Sequence, residues 1–162
     1  MSFPLNVAIA AAVRTAVGRA IKGSLRDTRP DDLAAWAMQA AVARVKGLKP
    51  EDVDDIILGC AMPEAEQGLN VARNAQFLAG WPETTAAETI NRYCSSGLQA
   101  IVHGAQSIQC GLADVVVAGG VESMSMVPMG GNKISLNPRL VDEFPEAYIS
   151  MGHTGERVAE RF

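Results

Sequence analysis

At 162 residues the chain can hold one domain with a substantial core, and its 48% hydrophobic content is ordinary for a globular protein. Asp and Glu number 18 against 14 Lys and Arg, leaving a net charge of -4 without a basic cluster, which excludes nucleic acid as a partner. No segment is apolar enough to span a bilayer, the N-terminus has no basic region leading into a long apolar run, and Cys60, Cys94 and Cys110 lack C-x-x-C spacing. A soluble cytoplasmic protein with free thiols, no bound metal and no membrane partner is therefore expected.

Residues 6–13 form a run that is apolar throughout after Asn6, without polar alternation, the pattern of a strand buried on both faces. Arg19 and Lys22 follow in a glycine-flanked loop, where they read as solvated charge rather than phosphate ligands. Pro30, Asp31 and Asp32 open a helix, with proline at the first position and two acids at the positive end of the dipole. Its stripe Leu33, Trp36, Ala37, Ala40, Ala41 and Val45 is predicted to pack in the core, and Gly47 ends it. A second buried strand is predicted over 55–60, with Cys60 as a packed structural thiol. Glu64 and Glu66 share the polar loop that follows; nothing there suggests burial that would raise a carboxyl pKa, so no acid/base role is assigned to them.

Asn70 suits the N-cap of a helix over 71–78, which Gly80 and Pro82 terminate. A third strand over 86–91 leads towards Cys94. Beyond it Leu98, Ile101, Val102, Ala105 and Ile108 form a helical stripe that stops at Gly111. Cys94 thus stands at or just before a helix N-terminus, whose free N–H groups and dipole favour a thiolate. Gly97 and Gly104 cost that helix about 1 kcal/mol each relative to alanine, which predicts that something approaches its backbone closely. A fourth apolar strand over 114–120 ends in Gly119 and Gly120. Residues 121–145 show no convincing element, and Met124, Met126 and Met129 read as gap-filling core before acyl-pocket lining. A last helix is predicted from Thr154, running on past Phe162.

The order βαβαβαβ implies an α/β fold with a mixed, largely parallel sheet, whose ligands bind at the carboxyl ends of strands. Cys94 lies at such an end. A buried cysteine is commonly an inert small hydrophobe, but the strand-to-helix setting singles out Cys94 over Cys60 and Cys110 as a candidate nucleophile. The histidine base that a thiol nucleophile normally needs has two candidates. His103 lies nine residues along the same helix and cannot reach the thiol, whereas the pattern does not place His153.

Asn91, Cys94, Ser96, Gly97, Leu98, Ala100 and Ile101 stand in an order that resembles the acyl-enzyme motif of the thiolases. The run 114–125, Arg14-Thr15 with Gly18, the stretch 67–73, and Met151-Gly152 leading into 159–161 resemble further motifs of that family in the same order. The resemblance covers essentially the whole chain. It implies a thiolase-like N-terminal α/β half over 1–120 that lacks its final strand, and the beginning of the loop region over 121–162. It also implies that Cys94 is catalytic: Cys94 attacks the keto carbonyl of a 3-oxoacyl-CoA, releases acetyl-CoA and passes the acyl group to CoA. CoA and acyl-CoA would be substrates rather than permanent cofactors, and the assembly a homodimer or homotetramer. The family's histidine base, second cysteine and water-positioning asparagine belong to a C-terminal half outside these residues. A non-catalytic chain that folds or oligomerises without turnover is therefore the alternative, and a ketoacyl synthase fits the wording around Cys94 less well. Ser150, where short-chain members often carry histidine, leans the comparison towards degradative enzymes of broader chain length. Glu122 is expected to buttress the glycine turn.

Overall fold

Strands β1 (Asp55–Gly59), β2 (Ala86–Ile90) and β3 (Val116–Gly120) run parallel in the order β2-β1-β3 in the computed structural model, which describes residues 7–162. Register pairs Gly59 with both Ile90 and Gly120, so all three carboxyl ends lie at one edge. The parallel α/β architecture is as expected, but the predicted strand over 6–13 is not: residues 7–13 carry neither helix nor strand, and Asn6 lies outside the described residues. A doubly buried strand needs ladder partners and a layer on each face. Ile9 is instead 75% exposed, and among the described residues Arg44 Nη1 donates to Ala12 O.

Helices α1 (Pro30–Ala43) and α2 (Val71–Leu78) cover one face of the sheet, where Ala34, Ala35, Met38, Val42, Ala72, Ala75 and Trp81 pack with Ile56 and Leu58. Helix α3 (Ser96–Gln109) covers the other face. Successive strand residues alternate sides, and a Cβ built on Gly59 would run into Ser96 and Gly97.

The buried faces of two helices differ from those predicted. On α1, Trp36 is 53% exposed while Ala34, Ala35, Met38 and Val42 are buried, because a helix apolar nearly all round offers several faces and the alanine side allows the closest approach. On α3, Leu98, Ile101 and Val102 are exposed, and Ser96, Ala100 and Gly104 face the sheet. A Cβ at Gly104 would sit 3.0 Å from Val116 Cγ1. Small residues, not the apolar stripe, set this contact.

Contacts divide the chain into two compact units, one running to Asn132 and one over Lys133–Phe162. The second holds α4 (Pro138–Glu143), a 3-10 turn Pro145–Tyr148 and α5 (Met151–Arg161). No element was expected over 138–143. Asn137 Oδ1 accepts from Arg139 N and Leu140 N, and Arg139 pairs with Glu143, so a helix too short to show periodicity forms from its cap and its i,i+4 pair. Ser150 caps α5, which begins at Met151 rather than Thr154. Among the described residues no helix is long and apolar enough to cross a membrane.

Candidate active site

Cys94 is exposed in the connection 91–95, at the edge of the sheet where the three strands end. Ser95 is the N-cap residue of α3, so the thiol immediately precedes the cap, as its sequence setting predicts. The preceding residue, Tyr93, has φ +47°, in the left-handed region that costs a side-chain-bearing residue about 1–2 kcal/mol. Strain of this kind persists only where neighbours over-determine it.

They do so here through side chains of the turn itself. Asn91 Oδ1 accepts from Tyr93 N at 2.8 Å. The Ser96 hydroxyl accepts from Arg92 N at 2.7 Å and donates to Tyr93 O at 2.6 Å, with Ser96 buried at 3% exposure. Ser95 Oγ donates to Arg92 O at 2.9 Å. Asn91 and Ser96 therefore hold both peptide groups that flank the strained residue.

Beneath the turn, the start of α3 rests on backbone. A Cβ on Gly59 would lie 2.3 Å from Ser96 C and 2.5 Å from Gly97 N, and one on Gly120 would lie 3.2 Å from Gly97 Cα. The predicted close approach is thus real, but Gly59 demands it most: a Cβ on Gly97 would meet its neighbours at an ordinary 3.8 Å.

Glu122 ties the ends of β1 and β3 together. Its Oε2 accepts from Ala61 N at 2.7 Å, and its Oε1 accepts from Gln67 Nε2. Gln67 is fully buried; it also donates to Met62 O at 2.8 Å and accepts from Ser123 N at 2.9 Å. Cys60 Sγ lies 3.9 Å from Glu122 Oε1. Burial first, and the nearby carboxylate second, push the Cys60 thiol up to about 12, which leaves it inert. The sequence pointed to Glu122 as a buttress and to Gln67 only as part of the family-like stretch 67–73, without its role as the donor to Glu122.

Within the first unit, His103 stays apart from the thiol. His103 lies within α3, about 13 Å along the helix from position 94 at 1.5 Å per residue. In the second unit, His153 Nδ1 is 3.0 Å from Ser150 Oγ. Glu64 accepts from Asn132 N and serves the loop. Arg19 and Lys22 are exposed. Met124 and Met129 are 43% and 75% exposed rather than core, and Met124 lines an open cavity of about 310 Å³ with residues 15–20, Leu25, Leu33 and Glu122.

The sequence profile described as "Thiolase, N-terminal domain" matches residues 7–162. The 3-ketoacyl-CoA thiolase of Bacillus subtilis (strain 168) is 52% identical over 154 residues, covering 95% of this chain and 39% of that protein. The peroxisomal 3-ketoacyl-CoA thiolase 5 of Arabidopsis thaliana is 43% identical over 166 residues, covering 99% of this chain and 36% of the relative. The crystal structure of the Bacillus anthracis acetyl-CoA acetyltransferase superposes with a TM-score of 0.77 at 39% identity, covering 94% of this chain and 41% of that one. The chain thus spans about two fifths of the length of the curated relatives it matches.

Proposed function

We propose, from the fact that this chain belongs to the thiolase family as its N-terminal domain, that Cys94 is the nucleophile and acyl carrier of an acyltransferase. The observation that carries the reading is the exposed thiol itself, set just before the N-terminus of α3 by a strained and pinned turn. Helix N-termini favour anions, and a thiolate is the reactive form of cysteine.

In the proposed reaction the Cys94 thiolate attacks the keto carbon of a 3-oxoacyl-CoA. The bond between that carbon and the neighbouring methylene breaks, its electron pair takes up a proton, and acetyl-CoA leaves. The acyl group remains as a Cys94 thioester. CoA then attacks that carbonyl through its thiolate, the bond from the acyl carbon to Cys94 Sγ breaks to regenerate the Cys94 thiolate, shortened acyl-CoA leaves, and every step is reversible. The Cys94 backbone N–H is suited to be one donor to an oxyanion at the attacked carbonyl. CoA and acyl-CoA are the proposed partners, a homodimer or homotetramer the proposed assembly, and the cytoplasm the proposed compartment. Residues 1–120 form the proposed α/β half and 121–162 the beginning of the loop region.

A second reading draws on the two-fifths coverage of the relatives and on the separation of His103 from the thiol: the 162 residues by themselves carry the acyl group without turning over. The test is intact-mass spectrometry of the chain incubated with an acyl-CoA. Cys94 displaces CoA from the thioester, one acyl mass is gained, and Cys94→Ser abolishes the gain. An adduct that persists in Cys94→Ser overturns the assignment. Release of the acyl group on adding CoA, with steady acetyl-CoA formation from a 3-oxoacyl-CoA, separates turnover from carriage.

A further inference from the structure

The turn that carries Cys94 is held by Asn91, and Asn91 is itself held from below. Its Nδ2 donates to Ala61 O at 3.0 Å while its Oδ1 accepts from Tyr93 N at 2.8 Å. Ala61, just beyond β1, offers its other backbone group to Glu122 Oε2 at 2.7 Å. The orientation of the Gln67 amide is fixed because its oxygen faces Ser123 N and its nitrogen faces Met62 O, which leaves it donating to Glu122 Oε1. A continuous path of hydrogen bonds therefore runs from the buried Gln67 through Glu122, Ala61 and Asn91 to the strained residue before the thiol.

We propose that Glu122 is a positioning residue for Cys94, acting through Ala61 and Asn91 on the left-handed turn at Tyr93; this rests on the reading of Cys94 as the nucleophile. A carboxylate is the side chain that fits. It accepts from Ala61 and from Gln67 with separate oxygens, whereas an amide of the same shape has one acceptor and would turn its NH2 group towards one of those donors. With Ala61 released, Asn91 loses its anchor. Tyr93 then relaxes towards negative φ, and the thiol swings off the start of α3.

The test is the rate of alkylation of Cys94 by iodoacetamide, read by peptide mass mapping against that of Cys110 in the same molecule, in samples whose circular dichroism shows the native fold. A purely structural Glu122 would change the unfolding midpoint and leave this ratio alone. Glu122→Gln is expected to lower the Cys94 to Cys110 ratio roughly tenfold, the scale of coupling carried by such paths. Asn91→Ala should lower it similarly. The double variant should fall no further than either single one, because both cut one path. A ratio within about twofold of wild type in Glu122→Gln, or losses that multiply in the double variant, overturns the proposal. Should Glu122→Gln fail to fold, Glu122→Asp keeps the charge but draws the carboxylate back by one methylene, away from Ala61 N. It is then expected to lower the ratio as well, and a wild-type ratio in that folded variant counts against the path. Acylation of wild-type Cys94 by acyl-CoA is measured alongside. Absent acylation with a ratio that falls in the variants refutes the nucleophile assignment alone, whereas acylation with an unchanged ratio refutes the positioning role alone.

Discussion

Replacing Gly59 by alanine tests the packing on which the site stands. The added Cβ would lie 2.3 Å from Ser96 C, 2.5 Å from Gly97 N and 2.6 Å from Ser96 Cβ. Non-bonded carbons settle at about 3.5–4.0 Å, so something must move by about 1 Å. Strand β1 cannot give way easily, because both its neighbours hold this end: Cys60 N donates to Ile90 O at 3.0 Å and Val121 N to Gly59 O at 2.9 Å. The start of α3 must shift instead, taking Cys94 with it. Overpacking against unyielding backbone costs about 2–3 kcal/mol, and the less flexible unfolded chain returns about 0.5 kcal/mol. The net loss of about 2 kcal/mol corresponds to a fall of about 6 °C in Tm for a chain of this size. Thermal and urea unfolding measure it directly. Gly155→Ala, inside α5 with no atom of the described residues beyond the helix's own backbone within 4 Å of the added Cβ, is the control and should gain up to about 1 kcal/mol. A Gly59→Ala protein as stable as wild type would show that α3 does not rest on β1 as described.

Three further outcomes are expected. Asn70 caps α2 through Arg73 N at 3.3 Å, accepts from Thr89 Oγ1 at 2.8 Å and donates to Ala87 O at 2.8 Å, so Asn70→Ala should lose about 2 kcal/mol in urea unfolding, and a loss below about 0.5 kcal/mol would contradict it. A chromogenic disulfide reagent at pH 8 should titrate Cys94 and Cys110 in the native protein and reach buried Cys60 only in denaturant, whereas native reaction of all three thiols would contradict the burial of Cys60. The backbone N–H groups of Val115 and Asp114 hold the Asp54 pKa below its usual value. A depressed folded-state pKa gives stability that is present above the ordinary carboxylate range and lost as pH falls through it. Asp54→Asn should therefore flatten the acid limb of the stability curve, and an unchanged limb would refute it; neighbouring Asp55, raised by burial, works in the opposite sense.

The elements that could be read from sequence are those whose signals are local and redundant. The apolar runs at 55–60 and 114–120, the Asn70 cap and the glycine stops mark their own boundaries, and the family motif marks Cys94. Contact faces were harder to read, because hydrophobicity does not say which side of a helix comes closest. The small side of α3, Ser96, Ala100 and Gly104, wins over Leu98 and Ile101 through backbone approach, which no periodicity of apolar residues records. The strand expected at the N-terminus failed for a related reason: a ladder depends on a partner that the segment's own residues do not specify. The polar path from Gln67 to Tyr93 joins residues from three separate connections, and each of them alone looks like ordinary loop polarity.

The most direct measurement of the central claim is peptide-level mass spectrometry of the wild-type chain after brief exposure to a 3-oxoacyl-CoA or acyl-CoA, with hydroxylamine used to confirm a thioester. A hydroxylamine-labile acyl group is expected on Cys94, with Cys110 and Cys60 unmodified. A label on Cys110 in equal measure, or none on Cys94 in protein that remains folded, would contradict it.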